Sequence, residues 1–169
     1  RVGELSTLLA RELGQESVVV RRMLTAGLLH DIGKVVIPQS LLNKPARLTT
    51  EEFTKLMTHP VVGWEICKPL RTAQSVLDCI LYHHERFDGS GYPEGLAGER
   101  IPYQARLLAV ADALDALTSE RAYRRSLSVD EAVELLGQET DAGKWDPDIY
   151  AALTRLAERG QADPRRLEN

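Results

Sequence analysis

Every apolar segment of this chain repeats with the period of a helix, and none alternates with the two-residue period of a strand. Val2, Leu5, Leu8, Leu9 and Leu13 fall on one helical face ahead of Gly14. Leu107, Leu108, Ala111, Leu114 and Leu117 do the same within the strongly apolar run Gln104 to Ser119. The punctuation between such runs is helical too. Thr49 with Glu52, and Ser128 with Glu131, have the spacing of a capping box. Asp146-Pro147 places a capping carboxylate before a proline suited to a first turn. These signals predict helices over about 2–13, 18–32, 49–58, 61–67, 72–84, 104–119, 128–137 and 147–160. Residues 33–48, with Pro38 and Pro45, and the glycine-rich stretch 86–102 are predicted as ordered loops. The expected fold is all-α: one helical bundle over residues 1–160, with a polar, loose tail at 161–169.

A chain of 169 residues is long enough for one proper core. Its 43% hydrophobic and 27% charged residues belong to a globular protein, not a disordered one. A net charge of −4 argues against a partner such as long nucleic acid, which needs a broad basic face. It leaves room for a small anion held by a few local cations. Cys67 and Cys79 form no paired motif and read as buried thiols of a protein in the reducing cytoplasm. No apolar run has the length of a membrane span. The chain opens at Arg1 already in helical register, so it reads as a piece of a longer protein that starts late.

The chemistry-bearing residues cluster at helix ends. His30-Asp31 closes the apolar run Leu28-Leu29 and precedes Gly33 and Lys34. Imidazole and carboxylate suit Fe, Mn, Zn or Ni, and one carboxylate can bridge two ions. The same residues would also serve as a helix C-terminus with Gly33 as a left-handed cap. His59 lies between two predicted helices and, alone, would be a solvated junction residue. His83-His84 ends another helix, where two cations could simply answer the dipole. Asp112 sits inside the apolar run Ala109-Val110-Ala111 and needs a partner, either a metal or an arginine such as Arg106. Asp115, one turn on, could accept a hydrogen bond from a ligand. Taken together, four histidines and two aspartates exceed what one tetrahedral zinc requires and fit a site of two metals. Ions held about 3.5–4 Å apart supply a bridging hydroxide and charge stabilisation for phosphate ester hydrolysis. Lys34, Arg121, Arg124 and Arg125 are cations available for a phosphate, the last two equally well placed as an ordinary exposed cluster.

These motifs resemble the HD-GYP domain, a branch of the HD phosphohydrolases. The resemblance rests on His30-Asp31-Ile32-Gly33-Lys34 and on the long segment from His83-His84-Glu85 through Gly89-Ser90-Gly91-Tyr92-Pro93 to Leu96. It continues through Gly98 to Pro102, Ala109 to Asp112, and Asp115 to Ser119. It implies an all-helical fold and a centre of two or three divalent ions, commonly iron or manganese. It implies a metal-dependent phosphodiesterase that hydrolyses cyclic di-GMP to the linear dinucleotide pGpG, to GMP, or to both. The metal ligands carried over are His30, Asp31, His59, His83, His84 and Asp112, with Asp31 as bridge and a catalytic residue. Lys34 carries over as a second catalytic residue approaching the scissile phosphate. Arg121 and Arg124 carry over to substrate binding, and the loop Gly91, Tyr92 and Pro93 to the substrate cleft or a partner. In that loop the glycines are expected to supply positive φ. The resemblance also brings an upstream sensor or receiver domain, diguanylate cyclase (GGDEF) domains as partners, and a possible homodimer. A histidine ligand that the family carries upstream of this segment has no counterpart here, as expected if the chain starts late. If that ligand is lacking altogether, a cyclic di-GMP receptor becomes the alternative; a related cyclic dinucleotide as substrate is another.

Overall fold

The computed structural model describes residues 1–120 and 125–166, and its regular elements among them are all helical. In chain order they are α1 (Val2–Glu12), α2 (Ser17–Leu29), the one-turn α3 (Gln39–Leu42), α4 (Thr50–Leu56), α5 (His59–Cys67), α6 (Gln74–Tyr82), α7 (Tyr103–Thr118), α8 (Val129–Asp141) and α9 (Pro147–Glu158). A 3-10 turn, Ile32–Val36, follows α2, and others occupy Lys68–Leu70, Gly98–Arg100 and Pro164–Arg166.

The expected all-α class holds because the punctuation works locally. Thr49 Oγ1 accepts from the Glu52 amide while the Glu52 carboxylate accepts from the Thr49 amide. Ser128 and Glu131 form the same reciprocal pair at the start of α8. Asp146 caps α9 through the amides of Asp148 and Ile149, and its second oxygen takes Arg106 Nη1 at 2.5 Å. Arg106 is therefore committed to Asp146 and is not the partner of Asp112.

The axis of the bundle is α7, which packs against α1, α2, α6, α8 and α9. Its Leu107, Leu108, Val110, Ala111 and Leu114 are all buried, which explains why this run is apolar on nearly every side. The α1–α2 hairpin covers one side, and α8 and α9 cover another. Both cysteines are buried free thiols, as expected. No helix among the described residues is long and apolar enough to cross a membrane.

Four boundaries differ from the sequence reading, each for a physical reason. Helix α2 ends at Leu29, not near residue 32, because His30 Nδ1 takes the Gly27 carbonyl that another helical turn would have offered to the next amide. The 33–48 stretch is not all loop but holds the 3-10 turn and α3. Gly137 does not stop α8, which runs on to Asp141; the missing side chain admits the Tyr150 hydroxyl instead. The tail beyond Gly160 is packed as far as Pro164, with Ala162 fully buried.

Leu108→Ala in α7 should lower unfolding free energy by about 2–5 kcal/mol, because its cavity lies where several helices meet and cannot collapse. Ser128→Ala, which removes only a cap, should cost about 1 kcal/mol. Urea denaturation of the two variants checks the order.

Candidate metal centre

Three helix termini and the middle of α7 bring the candidate ligands together. His30 is the C-cap of α2, and Asp31 opens the 3-10 turn. His59 is the first residue of α5 and is buried, not solvated. His83 caps α6, with His84 next in line. The 3-10 turn meets α5 at Gly33, where an added Cβ would stand 1.9 Å from the His59 carbonyl oxygen. Only glycine lets those two backbones approach so closely, and the approach sets Asp31 Oδ1 3.3 Å from His59 Nε2. Gly33 is thus not a left-handed cap; its role is space.

The three buried histidines share one device. His30 Nδ1 donates to the Gly27 carbonyl at 2.8 Å, His59 Nδ1 to Leu56 at 2.8 Å, and His83 Nδ1 to Ile80 at 2.9 Å. A carbonyl only accepts, so the ring proton sits on Nδ1 and the Nε2 lone pair points inward. His59 Nε2 and His83 Nε2 then face each other at 3.3 Å, both as acceptors. Asp31 Oδ1 lies 4.0 Å from His83 Nε2 and is buried with no hydrogen-bond donor. Ligand atoms of Asp31, His59, His83 and His84 all lie within 4.8 Å of one another. Acceptors converging without a donor call for a cation. A proton on one ring would satisfy one contact; a divalent ion satisfies the set.

The other oxygen of Asp31 faces a second group. Oδ2 lies 3.4 Å from His30 Nε2, which in turn is 3.6 Å from Asp112 Oδ1. One carboxylate therefore presents one oxygen to each of two donor sets, the geometry of a bridging ligand. Lys34 Nζ also reaches Oδ2, at 2.6 Å.

Electrostatics keeps His83, His84 and both aspartates in their ligating forms. His30 is the exception: burial works to lower its imidazole, but Asp112 and Asp31 outweigh it and hold it above its usual value, so a metal there would have to displace a proton. Burial, helped by charge at His30, pushes the His83 imidazole down to about 3. Burial and His83 push His84 down to about 2. Burial works to raise both carboxyls, but their partners outweigh it. His59, His30 and Lys34 hold Asp31 well below the carboxylate range, and His30 holds Asp112 at about 2. At neutral pH the histidines 83 and 84 are neutral and both aspartates ionised, as metal binding requires. This donor set suits divalent first-row ions.

The loop after α6 closes over one side. Tyr92 lies against the His84 ring, centroids 4.8 Å apart and planes at 28°, and its amide donates to the His84 carbonyl. Of the loop glycines, Gly89 has the expected positive φ, at 82°, and Gly91 does not. It is glycine because a Cβ would meet Arg86 N and Glu85 Cα at 2.4 Å. The Tyr92–Pro93 peptide is cis. Sequence reasoning gave Glu85 no role, yet it is 2% exposed, and its two oxygens accept from the amides of Glu94 at 2.8 Å and Leu96 at 3.0 Å. The only signal was its place directly after His83-His84. Arg86 stacks over Trp145 at 4.1 Å, and Phe87 N donates to the Lys144 carbonyl, so the loop root is tied to the α8–α9 connection. Asp115 faces Arg1, whose Nε lies 2.8 Å from Oδ1. Arg121 and Arg124 lie outside the described residues.

The HD domain family profile matches residues 1–149. The chain belongs to the HD domain family. The resemblance to its HD-GYP branch is borne out by the relatives. The chain is 41% identical over 152 residues to the cyclic di-GMP phosphodiesterase PA4108 of Pseudomonas aeruginosa, covering 89% of this chain and 36% of that protein. It is 34% identical over 159 residues to 3′3′-cGAMP-specific phosphodiesterase 1 of Vibrio cholerae, covering 94% of this chain and 37% of that protein. The chain thus spans little more than a third of the length of these relatives. Its fold is shared with an HDG"Y"P protein of Bdellovibrio bacteriovorus, with a TM-score of 0.72 at 24% identity over 93% of this chain and 50% of that one.

Asp31→Asn keeps the shape of the side chain and removes its charge. Protein purified with Mn²⁺ should lose most of its bound metal by elemental analysis, with helical circular dichroism unchanged. Glu85→Gln should leave metal content near normal but speed hydrogen exchange at the Glu94 and Leu96 amides by about tenfold or more, the effect of losing charge-assisted bonds.

Proposed function

We propose that this chain is the catalytic domain of a metal-dependent phosphodiesterase that opens cyclic di-GMP. The observation that carries the reading is Asp31, whose two oxygens face two separate donor sets while Lys34 bonds one of them beside an open cleft. His59, His83 and His84 with Asp31 Oδ1 would hold one ion; His30 and Asp112 with Oδ2 would hold the other. Two divalent ions held there would supply an acidified water and positive charge at the attacked phosphate. Iron and manganese are the ions we expect, because a mixed imidazole and carboxylate set suits them.

The chain's own residues do the rest. The Asp31 carboxylate orients the Lys34 ammonium, so that its remaining N–H donors can meet a non-bridging phosphate oxygen and offset the charge that builds there. Tyr92, whose phenol burial keeps protonated, packs over His84 and shields that side of the centre from water. In the net reaction water adds to phosphorus, the bond to a 3′ oxygen breaks, and linear pGpG results; a second cleavage gives GMP. Arg121 and Arg124 are the arginines we assign to the second phosphate on the strength of the sequence motif. The cGAMP-specific relative supports a second reading, in which the same centre acts on a mixed cyclic dinucleotide.

Anaerobic incubation with cyclic di-GMP and Mn²⁺ or Fe²⁺, with products resolved by chromatography, tests the proposal. We expect metal-dependent pGpG or GMP, lost in Asp31→Ala and reduced about 100-fold in Lys34→Ala. Ligand bound by metal-loaded protein without any product would replace the enzyme with a receptor.

A further inference from the structure

A cleft of about 650 Å³ opens beside the metal centre, lined by Lys34, Lys44, Arg47, Leu48, Phe53 and Leu56 among others. That is the size of a small-molecule site. Lys34 belongs to both the cleft and the centre, so the two are continuous. The apolar wall is unusual for a surface. Phe53 is 47% exposed, and its only ring partner among the described residues is Tyr92, met edge-on at 6.4 Å. Aromatic rings thus run from His84 through Tyr92 to Phe53, from the centre to the cleft.

The cations of the cleft are not equivalent. Lys34 bonds Asp31. Lys44 is held by both oxygens of Glu52, at 2.8 and 2.6 Å. Arg47 has no side-chain hydrogen bond or ion pair among the described residues, and it is exposed at the cleft. It follows Pro45, in a short connection between α3 and α4. An open aromatic face and an uncommitted guanidinium, next to a phosphodiester site, meet the needs of a purine base. The face stacks the ring. The guanidinium is a fork of donors with no acceptor. Guanine offers O6 and N7, two acceptors side by side, and matches that fork; adenine offers N7 beside a donor amino group and does not.

We infer that this cleft is a guanine subsite, with Phe53 stacking the base and Arg47 reading its O6 and N7 edge. The inference deepens the cyclic dinucleotide reading and rests on it for its part in turnover. It makes Arg47 a specificity-determining residue that favours guanine over adenine in the half of the substrate seated here.

The test uses Mn²⁺-loaded protein with cyclic di-GMP, cyclic di-AMP and bis(p-nitrophenyl) phosphate, a diester with no purine. Arg47→Ala should raise KM for cyclic di-GMP roughly 5- to 150-fold, the range for one bidentate base contact, and narrow the preference over cyclic di-AMP. The purine-free diester should be affected far less. Arg47→Lys, which keeps the charge and loses the fork, should behave like Arg47→Ala. Equal losses on all three diesters, an unchanged KM, or full rescue by lysine would each overturn the guanine subsite. If the wild-type protein cleaves no cyclic dinucleotide, the functional proposal fails, and GMP and AMP titrated calorimetrically into it decide the cleft separately. GMP bound more tightly than AMP, with the difference lost in Arg47→Ala, sustains the subsite; no GMP binding, or equal affinities, refutes it.

Discussion

The contact between Gly33 and the His59 carbonyl is the constraint on which the centre depends. It joins the turn after α2 to the start of α5 with no side chain between them. Everything else follows from that closeness. Asp31 reaches His59 only because the two backbones touch, and α6, packed on α5, then delivers His83 to the same point. His30, His59 and His83 each arrive with Nδ1 already bonded to a carbonyl three residues back. The helix end thus does two things with one bond: it satisfies a terminal carbonyl, and it turns the other ring nitrogen toward the centre.

The result is an arrangement that is costly without a cation. Lone pairs of His59 and His83 oppose each other, and Asp31 Oδ1 is buried with no donor. A fold shaped only by its core would not keep such a cluster, since unpaired buried acceptors are penalised. That penalty would be relieved by a divalent ion bound there. It is also why the surroundings are built stiffly. Glu85, wholly inside, pins the amides of Glu94 and Leu96, and the Arg86–Trp145 stack fixes the loop root. Tyr92 is thereby held against His84 by a loop tied at both ends.

The cations divide in the same way into committed and uncommitted groups. Lys34, Lys44 and Arg106 each have a carboxylate partner. Arg47 has no such partner among the described residues, and it lines the cleft that Lys34 shares with the centre. Position relative to the metal ligands, more than net charge, is what gives it a reading.

The helical class, the capped helix starts at Thr49, Ser128 and Asp146, and the residue types of the centre are all legible in the linear chain. These are legible because caps and periodicity act over three or four residues, within reach of a linear reading. The end of α2 is not legible in the chain because it depends on a side-chain bond from His30 to Gly27, and the role of Gly137 is not because its reason is Tyr150, across the bundle. Gly91 was expected for its torsion and is needed for its space. Tertiary structure alone decided that the oxygens of Asp31 face different donor sets, that Glu85 anchors a loop, and that Phe53 and Arg47 share a cleft with Lys34. Those facts are distances between residues remote in the chain, set by how helices pack, and packing is written in no single segment.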